Sequence, residues 1–389
     1  MRKIIAVITA RASYSRIKQA LLLLNERPDV ALEIYLSASA AEPEYGNVAR
    51  QVLEDGLPLT GQLYTLCRED SLAGMVQTTA QSTQALGAVF ARSKPDAVIT
   101  IADRYETMAT ALAAAYQNIP LIHIQGGEVT GNIDEKVRHA ITKLADIHIV
   151  CTPRAREYLI RMGEIPERIV VSGCPSCDLA EMIRQRKHLS RDMLSKYTTD
   201  PRVLNLREKE YCVVLYHAVT DEQQQNARHV RQLFDVIAQQ GKTALWILPN
   251  VDAGSEEIRR FIRESNAENI CPVHALDNLD FLELLRFSRG IIGNSSVGIR
   301  ECSYLGVPAV NIGSRQFGRE RGENVIDCGN SPAEIRAAVE KMWDMQCAGS
   351  TLYGSGHAAQ IIAETIATCQ LTYQKTLHYV AQAPWKETP

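Results

Sequence analysis

Continuous apolar runs of strand length, each followed by a stretch with helical apolar spacing, recur along almost the whole chain. Ile4–Ile8, Ala31–Leu36, Asp96–Ile101, Leu121–Ile124, His148–Cys151 and Ile169–Val171 are the strand-like runs of the first half. Helical patterns lie between them at about 17–25, 71–93, 106–116 and 135–144, and Pro153 stands where a proline opens a helix. A strand that is apolar on both faces must be covered on both faces. Interleaved helices supply that cover when the strands run parallel.

Residues 184–210, RQRKHLSRDMLSKYTTDPRVLNLREKE, interrupt the pattern. They are charged, lack a strand-like run and read as a linker with helical pieces. The alternation then restarts, with strands at 211–216, 243–248, 269–273, 290–292 and 308–312 and a helix at 222–240. At 389 residues the chain exceeds one ordinary core. The expected class is therefore α/β: two doubly wound Rossmann-like domains, 1–183 and 211–365, with a central cleft and 184–210 as the link. A last helical pattern, from about 357 to 380, is expected to cross back to the first domain, which would then also hold 366–389. In such sheets ligands lie beyond the carboxyl ends of the strands, so the residues that follow strands are the informative ones.

Charge narrows the partners. The net charge is −3, with 42 basic and 45 acidic residues. With no basic excess to neutralise a phosphate backbone, nucleic acid is not an expected partner. The apolar run after Met1-Arg2-Lys3 is too short for an export signal or a membrane span. A cytoplasmic protein without a membrane partner is expected. Ten scattered cysteines read as reduced core residues. Cys174-Pro-Ser-Cys177 has no second pair, so no metal site is expected.

After the first strand, TARASYSR places Arg11 and Ser15 at a strand-to-helix turn. It is neither a dinucleotide loop nor a P-loop. The two residues either meet an anion beside helix amides or are a solvated arginine and a capping serine. Asp103, Arg104 and Glu106 follow Ile101; a carboxylate beside an arginine is a held general base or a plain salt bridge. Gln125-Gly-Gly-Glu128 follows the next strand, and paired glycines let backbone approach a ligand. Neighbouring strands would gather Asp103, Glu128 and Asp134 at one sheet edge, where carboxylates shift one another's protonation as acid–base chemistry requires. Asp134 alternatively caps the next helix, on which Arg138 and a structural His139 follow.

In the second half, His217 follows a strand and is a phosphate ligand, an acid or an ordinary buried histidine. Asn250 and Asp252 follow the next strand. GNSSVGIRE, 293–301, presents Ser295 and Ser296 to a phosphate at a strand–helix junction and offers Glu301 to ribose hydroxyls. In GSRQFGRERGEN, 313–324, Arg315 follows a strand and is the best anion clamp of three arginines; the alternative is a solvated basic loop.

Taken in order, RASYSR, ADRYET, HIQGGEVTGNIDEKVRHAITKLADIH, GCPS, LPNVDAG, GNSSVGIRE and GSRQFGRERGEN resemble the hydrolysing UDP-N-acetylglucosamine 2-epimerases. These are the bacterial sialic-acid and legionaminic-acid enzymes and the epimerase half of the animal bifunctional enzyme. The resemblance runs from the first strand to about residue 330. It implies a glycosyltransferase-B-type fold and conversion of UDP-N-acetylglucosamine and water to N-acetylmannosamine and UDP, through a 2-acetamidoglucal, for nonulosonic (sialic) acid biosynthesis. It also implies a UDP-sugar as the partner, no cofactor or metal, and a homodimer or homotetramer.

Carried over by position, Asp103, Glu128 and Asp134 surround the sugar as catalytic residues, with His217 acting from the nucleotide side. Arg11, Ser15, Arg104, Asn250, Ser295, Ser296, Glu301 and Arg315 contact nucleotide and diphosphate; Gln125 and Asp252 join the substrate-binding set. Non-hydrolysing relatives carry glutamate at the position of Gln125. A carboxamide cannot be a base, which leaves Asp103 or Asp134 to take the C2 proton. The segment Ser37–Glu42 lacks a histidine that some members place there. UDP-2,4-diacetamido-2,4,6-trideoxyglucose, the legionaminic-acid precursor, is therefore the alternative substrate. A UDP-sugar glycosyltransferase and a non-catalytic nucleotide-sugar sensor are the readings from other classes.

Overall fold

Two parallel sheets organise the chain. The first is built from β1 (Arg2–Ile8), β2 (Val30–Ser37), β3 (Leu59–Leu63), β4 (Ala97–Ile101), β5 (Leu121–Ile124), β6 (Ile147–Val150) and β7 (Ile169–Val171). The second comprises β8 (Tyr211–Leu215), β9 (Thr243–Ile247), β10 (Ile270–Val273), β11 (Gly290–Gly293), β12 (Ala309–Ile312) and β13 (Val325–Cys328). Their orders are β3-β2-β1-β4-β5-β6-β7 and β10-β9-β8-β11-β12-β13. The computed structural model describes residues 1–69, 71–130, 133–217, 219, 223–248, 255–265, 267–273 and 276–378. Each sheet anchors one unit: Met1–Glu128, Ile133–Pro175 and His357–Pro389 form the first, Val129–Asn132 and Ser176–Gly356 the second.

The apolar strands behave as strands clad on both faces do. In β1, Ile4, Ala6 and Ile8 enter one layer with the helix Arg11–Asn25 and the helix Ala358–Thr368. Ile5 and Val7 enter the other, with Leu86, Phe90 and Ala109. Each fully buried isoleucine contributes about 1.5–3 kcal/mol relative to an exposed one. In the second unit, Cys212 and Val214 enter one cluster and Tyr211, Val213 and Leu215 the other.

Four features differ from the sequence expectation. First, β3 and β13 are edge strands, half exposed and mixed in polarity (LTGQL and VIDC), so they carry no continuous apolar run. Second, the first helix starts at Arg11, not near Ile17, and its N-cap is Ala10. Ser15 is thus inside the helix, and its Oγ donates back to Arg11 O at 3.1 Å. Third, the expected link 184–210 folds as part of the second unit. Its two helices, Arg191–Leu194 and Pro201–Leu204, are too short to show a period, yet Met193, Leu194, Val203 and Leu206 are buried in that unit's core. Fourth, the last helix ends at Thr368. Residues 369–378 continue without helix along the first unit, tied by His378 N to Gly163 O at 2.9 Å and by Lys375. No helix of the described residues is long and apolar enough to cross a membrane.

Strand order reverses between β1 and β4 in one sheet and between β8 and β11 in the other. Such reversals open a crevice outside the carboxyl ends of the strands. Arg11 and Asp103 follow the first pair, His217 and Ser295 the second.

Candidate active site

In the first unit the chain leaves β4 and β5 through two strained residues. Ala102 has φ +64° and Gln125 φ +69°, both left-handed without being glycine. Hydrogen bonds hold them there: Ala102 N to Ile124 O at 2.9 Å and Gln125 N to Ile149 O at 2.8 Å. His123 Nε2 meets Ala102 O at 3.0 Å while its Nδ1 faces Thr142 Oγ1 at 3.3 Å. Burial pushes the His123 imidazole down to about 4. It is therefore neutral at pH 7, with Nε2–H donating to the carbonyl and Nδ1 accepting from the hydroxyl. At Gly127, φ is +77° and a Cβ would lie 2.5 Å from Ala155 O, so only glycine fits this turn.

These turns bring the Asp103 carboxylate and the Glu128 backbone carbonyl to one guanidinium. Arg138, on the helix Ile133–Leu144, is 0% exposed. Its Nε donates to Asp103 Oδ2 at 2.9 Å and its Nη2 converges on the same oxygen. Its Nη1 donates to Glu128 O at 2.5 Å. Asp134 lies in the first turn of the same helix, four residues before Arg138 and hence on the same face. Arg104 Nε donates to buried Glu106 Oε1 at 2.7 Å. Gln125 is buried, with Nε2 donating to Cys174 Sγ at 3.3 Å and Oε1 accepting from Arg16 Nη1 at 3.4 Å. Arg11 opens its helix and lays its stem over Gly46, where a Cβ would come within 2.4 Å of Arg11 Cδ.

In the second unit the end of β11 passes against the end of β8. Gly293 has φ +148°, and a Cβ there would fall 2.0 Å from Leu215 O. Buried Asn294 then accepts from His217 N and donates to His217 O, both at 2.8 Å. The carbonyl of Asn294 accepts from Arg315 Nη1 at 3.1 Å and from Gln316 Nε2 at 3.0 Å. His217 and Arg315, expected separately, are thus fixed by one residue. Ser295 Oγ accepts from Val297 N at 3.4 Å, and Ser296 opens a single 3-10 turn, Ser296–Gly298. The expected helix start is therefore only a turn, followed by the five-residue helix Glu301–Leu305, and its dipole is correspondingly short. Arg321 is spent on Asp327, Nε to Oδ2 at 3.0 Å. Asn250 and Asp252 lie outside the described residues.

The family model of UDP-N-acetylglucosamine 2-epimerase matches residues 23–367. The chain belongs to the UDP-N-acetylglucosamine 2-epimerase family. A UDP-N,N'-diacetylbacillosamine 2-epimerase (hydrolyzing) of Legionella pneumophila is 31% identical over 96% of this chain and 98% of its own. A UDP-N-acetylglucosamine 2-epimerase of Neisseria meningitidis serogroup B is 26% identical over 88% of this chain and 87% of its own. The solved UDP-GlcNAc 2-epimerase of Neisseria meningitidis, bound to UDP-GlcNAc, superposes with a TM-score of 0.78 at 18% identity, over 94% of this chain and 99% of that one. The epimerase-family fold is thus the two-sheet, glycosyltransferase-B-type architecture expected from the sequence.

Three residues that hold the strand-end turns of this epimerase-family enzyme were not singled out as site residues: Arg138, Asn294 and His123. Arg138 is a charge within an amphipathic helix pattern, and only the register of β4 against β5 reveals its partner, 35 residues away. Asn294 lies inside a stretch that reads as a phosphate loop. His123 is a lone histidine in an apolar strand. Complete burial of a charged or polar side chain is their common mark, and no sequence pattern carries it.

Proposed function

We propose that this enzyme is a hydrolysing 2-epimerase that converts UDP-N-acetylglucosamine and water to N-acetylmannosamine and UDP. The convergence of the Asp103 carboxylate and the Glu128 backbone carbonyl on Arg138, with Asp134 one helical turn away, carries the reading. Removing a weakly acidic C2 proton needs a placed carboxylate. Asp103 is engaged by a guanidinium, so Asp134 takes the proton. The C2–H electron pair forms the C1=C2 double bond of a 2-acetamidoglucal as the C1–O bond breaks and its pair leaves with UDP. Water then supplies hydroxyl to C1 and a proton to C2, on the face that gives the manno product. Glu128 orients that water, and Gln125 hydrogen-bonds the sugar.

Arg315, His217 and Arg11 meet the charge that develops on the departing diphosphate. Ser15, Arg104, Ser295, Ser296 and Glu301 complete the nucleotide contacts in this scheme, together with Asn250 and Asp252. The free sugar suits nonulosonic acid biosynthesis by a cytoplasmic homodimer or homotetramer.

A second substrate has its own support. The Legionella relative, matched over 98% of its length, bears the name of a UDP-N,N'-diacetylbacillosamine enzyme. Here β2 is followed by the small buried residues Ala38, Ala40 and Ala41 rather than by a histidine. The test is to incubate the enzyme, without any sugar acceptor, with UDP-N-acetylglucosamine and with UDP-2,4-diacetamido-2,4,6-trideoxyglucose, and to identify the products by NMR. Free N-acetylmannosamine and UDP are expected from the first. Consumption of the diacetamido sugar alone would replace the substrate. Release of UDP from neither would sink the hydrolytic reading, and turnover that demands an acceptor would indicate a glycosyltransferase.

A further inference from the structure

We infer that Arg138 is the positioning residue of the catalytic carboxylates, acting through Asp103, which it holds as a fixed charged anchor. The inference rests on the hydrolysing reading above and adds a role that reading does not need. Its ground is geometric. Arg138 is 0% exposed and spends all three kinds of guanidinium nitrogen on the two strand-end turns. Nε and Nη2 grip one oxygen of Asp103, whose side chain is 18% exposed, and Nη1 grips the Glu128 carbonyl. A guanidinium is never deprotonated in a protein, so the cationic side of the clamp is independent of pH. Its planar fork also fixes direction, which an ammonium does not.

The charged and titratable groups around Asp103 come from three segments of the first unit. From β5 comes His123, neutral because it is buried. On its own segment, Arg104 is paired with Glu106. The helix Ile133–Leu144 contributes Arg138 itself and the acidic Asp134 and Glu135, and the turn after β5 contributes Glu128. Arg138, fully buried, is in direct contact with the Asp103 carboxylate through two of its nitrogens. A carboxylate so held favours its charged form and is a poor proton acceptor. Asp103 then serves as a static negative charge beside the reacting carbon, and its rotamer and the path of the Gln125–Glu128 turn are set together by one side chain.

The experiment is a double-mutant cycle on the full-length enzyme: Arg138→Gln, Asp103→Asn and the pair, with Arg138→Lys as the conservative variant. Arg138→Gln should lower kcat by roughly 100-fold with KM changed less than about threefold, and should move the acid limb of the kcat profile up by about 1–3 pH units. In the Asp103→Asn background the same change should cost less than about threefold, because the residue acts through Asp103. Arg138→Lys should keep the acid limb and lose about tenfold in kcat; it carries the test if Arg138→Gln does not fold. The carboxyl carbon-13 NMR signal of Asp103, assigned by its loss in Asp103→Asn, gives a readout apart from turnover. It should titrate at lower pH in the wild type than in whichever Arg138 variant removes the charge. Additive losses of kcat, or an acid limb and an Asp103 titration that do not move in Arg138→Gln, would overturn the inference; if only Arg138→Lys folds, an unchanged kcat in that variant would overturn it. A wild type that releases no UDP would overturn the hydrolysing reading instead, and the NMR titration would still decide the role of Arg138.

Discussion

Asn294 holds His217 by both of its backbone polar groups, accepting from its N–H and donating to its carbonyl at 2.8 Å each. The same Asn294 fixes Arg315 through its own carbonyl. The ends of β8 and β11 and the loop after β12 are therefore one hydrogen-bonded unit. Asn294→Ala would orphan two part-buried backbone groups, at a cost of about 2 kcal/mol, or roughly 4–8 °C in Tm. UDP affinity, read by calorimetry, should fall at least tenfold with Tm. Unchanged UDP affinity in a destabilised variant would separate the clamp from the nucleotide site.

Arg315 itself should matter for binding rather than chemistry. Arg315→Ala should weaken UDP binding by about 1.5–3 kcal/mol, the scale of a charge-assisted hydrogen bond. Asp103→Asn should leave UDP affinity nearly intact and lower turnover by about 10²–10⁴. Equal effects of the two changes on UDP affinity would show the roles to be misassigned.

Acid should unfold the first unit in two stages. Burial pushes His123 down to about 4, so below pH 6.5 the unfolded chain takes up a proton that the folded chain refuses. Stability is thus lost as pH falls from about 6.5 to 4. Buried Glu164 behaves differently. Desolvation would raise it, but hydrogen bonds from His148, Lys143 and Lys375 prevail and hold it at about 2. Its stabilisation, present above the ordinary carboxylate value, is lost as pH falls through 4.5 towards 2. Each group accounts for about 2–3 kcal/mol. Urea melts at pH 7, 5.5 and 4 should show falling stability in the wild type. Glu164→Gln should be less stable by about 2 kcal/mol already at pH 7, because it leaves the partly buried Lys143 and Lys375 without their carboxylate. A pH-independent wild type would contradict both assignments.

Gln125 offers a test by charge. Its carboxamide bridges Arg16 and Cys174 at the end of β5. Gln125→Glu keeps the acceptor for Arg16, loses the donor to Cys174 and adds a negative charge beside the other carboxylates. The acid limb of the pH–rate profile should move upward. Gln125→Ala should keep the pH profile and lose mainly substrate affinity. Abolished turnover with intact affinity in Gln125→Ala would make this residue more than a sugar contact.

Legibility in the sequence follows burial. Central strands such as β4 and β5 are buried throughout, and their unbroken apolar runs announce a parallel sheet. β3 and β13 have one side open to water and lose that signature. The stretch Arg11–Arg16 looks like a polar turn, yet Ser13, Tyr14 and Ile17 are buried at helical spacing. Asp103, Glu128 and Asp134 could be singled out because they follow strands. Arg138, the partner of Asp103, could not, because a buried ion pair depends on which strands lie side by side.

The central claim is elimination at C2 followed by hydration of the glycal. It is tested most directly by running the reaction on UDP-N-acetylglucosamine in D₂O and examining the products by NMR and mass spectrometry. Free N-acetylmannosamine carrying deuterium at C2, formed together with UDP, is the predicted result. A product that keeps its original hydrogen at C2, or a 2-epimer still attached to UDP, would contradict the account.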